Sequence, residues 1–176
     1  AGLGMVNIHI AKGDLESAEK KCADLIQKAP DVLEYQIKSV QILFYQGEFD
    51  QTDAKLHEIV DQLPMDNYSV NDILDVMAVL IGFRHNQKEF VDFAKVQLNI
   101  QQNKRTEALE KLETLFDTDE IYIADMCRYQ HAWLTFLQGD AELTELQLSK
   151  IENETIFKEL AHIFQAEILD FIDQDI

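Results

Sequence analysis

The sequence predicts an all-α protein: an α-solenoid of antiparallel helix hairpins with about ten helices, forming one repeat domain over residues 1–176. Three observations predict it. The stretch "GDLESAEKKCADLIQKAP", Gly13 to Pro30, returns thirty-four residues later as "GEFDQTDAKLHEIVDQLP", Gly47 to Pro64. Apolar residues recur at i, i+3, i+4 and i+7 along most of the chain, the spacing that puts them on one face of a helix, and no useful length shows the alternation of a strand. Aliphatic and acidic residues dominate while Gly and Pro number only 6 and 2, which favours helix over turn-rich β structure.

Each element has its local reason. Gly13 stops one helix, because Gly tolerates the left-handed conformation that follows a helix end. Asp14 caps the next by accepting from its free N–H groups. Leu15, Ala18, Cys22, Leu25 and Ile26 form the apolar stripe, and Pro30 ends the helix. Asp31, with Glu34 three residues on, is a variant capping box for the helix after it. The second unit repeats this plan with a Gly47-Glu48 turn and the stripe Phe49, Thr52, Leu56, Ile59 and Val60. A third unit turns at Asn103, Asn being the usual substitute for Gly at a helix end, and carries Ala108, Leu112, Leu115 and Phe116. The fourth turns at Gly139 and carries Thr144, Leu148 and Ile151.

The turns stand 34, 56 and 36 residues apart. The long interval holds an extra helix at 69–84, started by Ser69 and Asp72, with Val70, Ile73, Leu74, Met77, Leu80 and Ile81 as its stripe. After the fourth unit, 155–173 reads as one further helix with no hairpin partner, apolar on more than one side. The expected units are therefore 1–30, 33–66, the extra helix 69–84, 88–117, 120–153 and the final helix 155–173. The unpartnered end and a first helix already under way at Ala1 fit a piece of a longer repeat array.

Charge and motifs narrow the function. A net charge of −18, from 33 acids and 15 bases, opposes nucleic acid, whose binding rests on Lys and Arg, and opposes anionic membrane surfaces. It attracts a basic protein segment. No apolar run approaches the roughly 20 residues that cross a bilayer, so no membrane insertion is expected. No signal peptide opens the sequence. A soluble location is expected, the cytoplasm ahead of the periplasm, the latter standing if the native N-terminus is missing. Cys22 and Cys127 are in no metal or redox spacing. Cys127 and His131 stand four apart on one helix, a spacing able to hold a metal, but no third ligand accompanies them. There is no Gly-rich phosphate loop, HExxH or GxSxG. The expectation is a non-enzymatic protein without catalytic residues, metal or cofactor.

The repeat resembles the tetratricopeptide repeat, a 34-residue helix–turn–helix with small, aromatic and Pro positions in fixed places, in the divergent form found in bacterial proteins. The residues that carry the resemblance are the turn Gly, the small residue five positions later (Ala18, Thr52, Ala108, Thr144) and the larger one four beyond that (Cys22, Leu56, Leu112, Leu148). Pro30 and Pro64 match the closing proline. The early Trp and the Leu-Gly pair of the first helix are missing.

The resemblance implies that the first helix of each hairpin lines a concave groove and meets an extended peptide near its middle. Counted back from each turn, those positions are Asn7, Gln41, Gln97 and Trp133, with Phe44 and Tyr129 among their flanking neighbours. The amides could hydrogen-bond a peptide backbone, since each offers donors and an acceptor. The lysines that clamp a terminal carboxylate in chaperone-binding members are absent from these positions. The implied function is a protein–protein interaction scaffold that binds a protein or peptide partner of basic character, through the groove or the apolar last helix. The alternative is a structural segment that stacks on further repeats or on a second copy as a homodimer.

Overall fold

Four turns share one backbone geometry. Gly13, Gly47, Asn103 and Gly139 have φ of 77, 78, 58 and 82°. In each, the turn residue donates to the carbonyl three residues back, and the next residue donates to the carbonyl five back. The pairs are Gly13 to Ile10 (2.9 Å) with Asp14 to His9 (2.9 Å), and Gly47 to Phe44 (2.9 Å) with Glu48 to Leu43 (3.1 Å). Asn103 to Ile100 (3.0 Å) with Lys104 to Asn99 (2.8 Å), and Gly139 to Phe136 (2.9 Å) with Asp140 to Thr135 (3.1 Å), complete the set. These are Schellman closures, which satisfy carbonyls the ending helix leaves open. Asn103 occupies the left-handed region as the sequence predicts.

The structure, a computed structural model, describes the backbone of residues 2–61 and 70–174 and the side chains of 2–61 and 73–169. Pro64 and Ser69 lie outside the described residues. Among those described the protein is all-α. The helices are α1 (Gly2–Lys12), α2 (Leu15–Lys28), α3 (Leu33–Gln46), α4 (Phe49–Val60), α5 (Val70–Phe83), α6 (Gln87–Gln101), α7 (Arg105–Glu113), α8 (Ile121–Phe136), α9 (Ala141–Ser149) and α10 (Ile156–Gln174). The chain divides into two compact units, Ala1–Lys104 and Arg105–Ile176. The boundary follows the Asn103 turn directly, inside the segment read from sequence as a third hairpin.

Caps account for several helix starts. Asp14 accepts from the Ser17 N–H at 3.1 Å and Asp140 from the Leu143 N–H at 2.9 Å, each satisfying an open donor of the first turn. Asn86 does the same for α6, accepting from Glu89 at 3.3 Å. The Asp31–Glu34 box does not form: the N-cap of α3 is Val32, without a side-chain cap bond.

In the first unit α1 pairs with α2, α2 with α3, α3 with α4 and α4 with α5. The next helix, α6, leaves this serial order and packs on α1 and α3 as well as on α4 and α5. Its Leu98 joins Leu15 and Tyr45 against the cluster of Val6, Ile10, Ala18, Cys22 and Ile42. Near the start of α6, Phe90 sits among Phe44 (5.1 Å between ring centroids), Phe49 (5.1 Å) and Phe83 (5.9 Å), knitting α3, α4, α5 and α6 together. In the second unit α8 touches α7, α9 and α10. Ala132, Leu148, Ile151, Ala161, Phe164 and Ile168 make its core.

The repeat positions are where packing is tightest. Ala18, Thr52, Ala108 and Thr144 are all fully buried, and Cys22, Leu56, Leu112 and Leu148 are at most 2% exposed. Small residues at the first set let paired helices approach closely. Thr can serve there because its hydroxyl folds back onto its own helix. Thr52 Oγ1 donates to Glu48 O at 2.7 Å and Thr144 Oγ1 to Asp140 O at 2.6 Å.

Further expectations need correction, beginning with Val60, read as part of the second unit's stripe but 38% exposed. Leu74 and Ile81, read as part of the buried stripe of the extra helix, are 53% and 59% exposed; Ile73, Leu80 and Phe83 are the buried face. The helix is apolar on more than one side, so its composition alone does not select the covered face. The last helix is not without a partner, since α10 packs on both α8 and α9.

The turn geometry yields a stability prediction. A Cβ at Gly47 would take up φ +78° and stand 3.2 Å from Val91 Cγ2. Gly47→Ala is expected to lower unfolding free energy by about 1–2 kcal/mol, measured by urea denaturation. Gly139→Ala, where a Cβ meets nothing within 4 Å, carries the backbone cost alone and should lie at the lower end of that range.

Candidate functional site

Among the positions implied by the repeat, Asn7, Gln41, Phe44 and Gln97 belong to the first unit, and Tyr129 and Trp133 to the second. Asn7 is exposed on α1. Gln41 is half-buried, and its Oε1 accepts from Lys38 Nζ at 2.6 Å. The two amides line different recesses: Asn7 shares one with Lys38 and Gln101, and Gln41 shares another with Ile37, Leu56 and Ile73. Phe44 is only 7% exposed, a core residue of the phenylalanine cluster. Gln97 is half-buried on α6. The helix that carries Gln97, α6, lies against α1 and α3.

The second unit offers a different surface. On α8, Tyr129, Trp133, Phe136 and Leu137 fall on one side at spacings of three and four. Tyr129 is half-buried against Phe157 (5.9 Å) and Phe164 (6.0 Å) of α10. Burial, with the Glu167 charge adding to it, raises the pKa of its phenol, which stays protonated. Trp133 packs against Phe164 (5.5 Å) and Phe136 (6.3 Å), yet 47% of it is exposed. Leu137, one turn on, is 46% exposed. Trp133 is therefore an anchored aromatic with an open face.

Helix α8 also holds polar groups that sequence reasoning passed over. Asp125 is fully buried. It accepts from Asn153 Nδ2 at 3.0 Å and Thr155 Oγ1 at 2.9 Å, tying α8 to the segment before α10. Arg128 Nη1 stands 4.0 Å from the same carboxylate. The Arg128 guanidinium lies 5.2 Å over the Phe116 ring and donates from Nη2 to Phe116 O at 2.8 Å. The available signal was an acid inside the otherwise apolar run "IYIADMC", where a solvated residue has no place.

His131 is 1% exposed. Its Nε2 is 3.3 Å from Glu113 Oε1, and its buried Nδ1 has no hydrogen-bond partner. Burial pushes its pKa below the ordinary value against the opposing pull of Glu113, and the Lys150 charge lowers it further. The unfolded chain therefore takes up this proton near pH 6.5, where the folded protein does not. The stability His131 contributes is whole above that pH and is lost as pH falls towards the lower folded value. His131→Gln should flatten this part of the stability–pH curve, measured by urea unfolding at pH 7.5, 6.5 and 5.5.

Cys127 is buried beside His131 on α8, and neither cysteine is in a disulfide. Among the described residues no group of three or more His, Cys, Asp or Glu is arranged to hold a metal ion. Among the same residues no helix is long and apolar enough to cross a membrane.

The fold and this surface define a helical, repeat-like all-α protein with a half-exposed aromatic face. Comparison with family models, with curated proteins and with solved structures finds no match for the chain.

Proposed function

We propose that the chain is a non-enzymatic scaffold of tetratricopeptide-like hairpins, an α-solenoid, that binds a partner polypeptide through the aromatic face of α8 beside α10. The observation that carries this reading is Trp133: the chain's one tryptophan is held by two phenylalanines and still 47% exposed. Such a side chain is ordered before binding, so it loses little rotamer freedom when a partner covers it. The net charge of −18 favours a partner with basic flanks around an apolar anchor.

The test places a photo-crosslinking amino acid at Leu137, next to Trp133, in the cells that make the protein. One discrete conjugate is expected, and Trp133→Ala should weaken the partner's binding by about 2 kcal/mol or more. No conjugate, or the same conjugate from a control position at exposed Glu152, rules the surface out.

One observation favours a second reading, a structural segment that self-associates. On α10, Ile156 and Ile163 are 55% and 57% exposed. They stand seven apart, hence on one face, turned away from the buried stripe of Ala161, Phe164 and Ile168. Deleting α10 would strip the core of the second unit, so substitution is the cleaner probe. A dimer in light scattering that becomes a folded monomer on Ile156→Lys with Ile163→Lys supports this reading; a monomeric parent removes it.

A further inference from the structure

The first unit contains a cavity of about 320 Å³ lined by Asn7, Ile10 and Ala11 of α1, Lys38 and Tyr45 of α3 and Gln101 of α6. Its chemistry runs against the rest of the chain. Acids outnumber bases 33 to 15, yet no carboxylate is in this lining. The one charged group is Lys38, which is half-buried. Among the described residues no carboxylate stands within ion-pair distance of it. Its ammonium group makes one hydrogen bond, to Gln41 Oε1 at 2.6 Å, and an ammonium has three donors. Burial lowers the Lys38 pKa, with Cys22 opposing the shift only in part. A buried cation is costly unless an opposite charge meets it.

The other polar groups match that need. Asn7 and Gln101 each carry an amide N–H donor and lie at the exposed edge. Tyr45 is raised in pKa by burial, so its phenol keeps its proton and can donate. The wall from Ile10 and Ala11 is apolar. We propose that this cavity binds a small organic carboxylate, its oxygens on Lys38 Nζ and the amides of Asn7 and Gln101, its short carbon chain against Ile10 and Ala11. The apolar wall distinguishes this ligand from inorganic phosphate, which has no surface to place there. The cavity lies in the first unit and the aromatic face in the second, so this inference stands independently of the protein-binding proposal.

Sodium butyrate is the probe, titrated into the full chain and followed by NMR at the side-chain amides of Asn7 and Gln101 and at the ε-carbon of Lys38. Saturable shifts at all three are expected, with a dissociation constant on the order of 1 mM, and the Lys38 pKa should rise when butyrate is bound. Lys38→Met keeps the length and the apolar contacts of the stem. It should retain the far-UV spectrum of the parent and weaken butyrate binding at least about tenfold. Three results overturn the proposal: no saturation by roughly 50 mM butyrate, equal binding by folded Lys38→Met, or binding of n-butanol or phosphate as tight as that of butyrate. Should Lys38→Met fail to fold, the pKa of Lys38 in the parent decides, since an unmoved value at saturating butyrate excludes contact with the ammonium.

Discussion

Asp125→Ala is expected to lower the stability of the second unit by about 3–5 kcal/mol. The reason is asymmetry. The fully buried carboxylate receives Asn153 and Thr155 and stands 4.0 Å from Arg128. Truncation removes the acceptor: the exposed Asn153 and half-buried Thr155 turn to water, but an unmet buried group costs more than its hydrogen bond contributes. Arg128 suffers most, being only 18% exposed in its side chain and already holding an unpartnered, buried Nε. Asp125→Asn, which keeps one acceptor oxygen, should cost less. The measurement is urea unfolding followed by the fluorescence of Trp133, the chain's single tryptophan and a residue of the same helix. A loss below about 1 kcal/mol would show that water replaces the carboxylate and that the site is not dry.

Phe90→Ala should cost the first unit a similar amount, about 3–5 kcal/mol. Phe90 is fully buried, and its ring meets those of Phe44, Phe49 and Phe83 edge-on, at centroid distances of 5.1, 5.1 and 5.9 Å. Those rings come from α3, α4 and α5, so the truncation leaves a hole where four helices converge and no single element can close it. Phe90→Leu fills most of the volume but loses the edge-to-face geometry, and should cost about 1.5 kcal/mol. Circular dichroism during urea unfolding reads both. If Phe90→Leu costs as much as Phe90→Ala, ring geometry rather than volume holds the cluster.

The regular part of this fold was readable residue by residue. The four turns at Gly13, Gly47, Asn103 and Gly139, and the small residue five positions after each, occupy the conformation and burial their identities imply. Reading failed where a segment offered two apolar faces. Leu74 and Ile81 looked as buried as Ile73 and Leu80, and the side of α5 that α4 and α6 cover separated them. The surroundings of Asn7 and Gln41 were out of reach for a related reason. Asn7 and Gln41 share a repeat position, but α6 folds against α1 and α3 and puts the two amides into separate recesses.

Helix ends depend on groups within about five residues of one another, so the chain writes its turns, caps and paired small positions in consecutive letters. Those letters determine an all-α protein of repeated hairpins and a strong excess of negative charge. Which face of a helix meets water depends instead on elements distant in the sequence. Placement of α6 on α1 made Lys38 the cation of a polar cavity. In the second unit, contact between α8 and α10 left Trp133 half-open, and the segment before α10 enclosed Asp125. Local chemistry sets the helices; desolvation by distant neighbours assigns each polar or aromatic side chain its role.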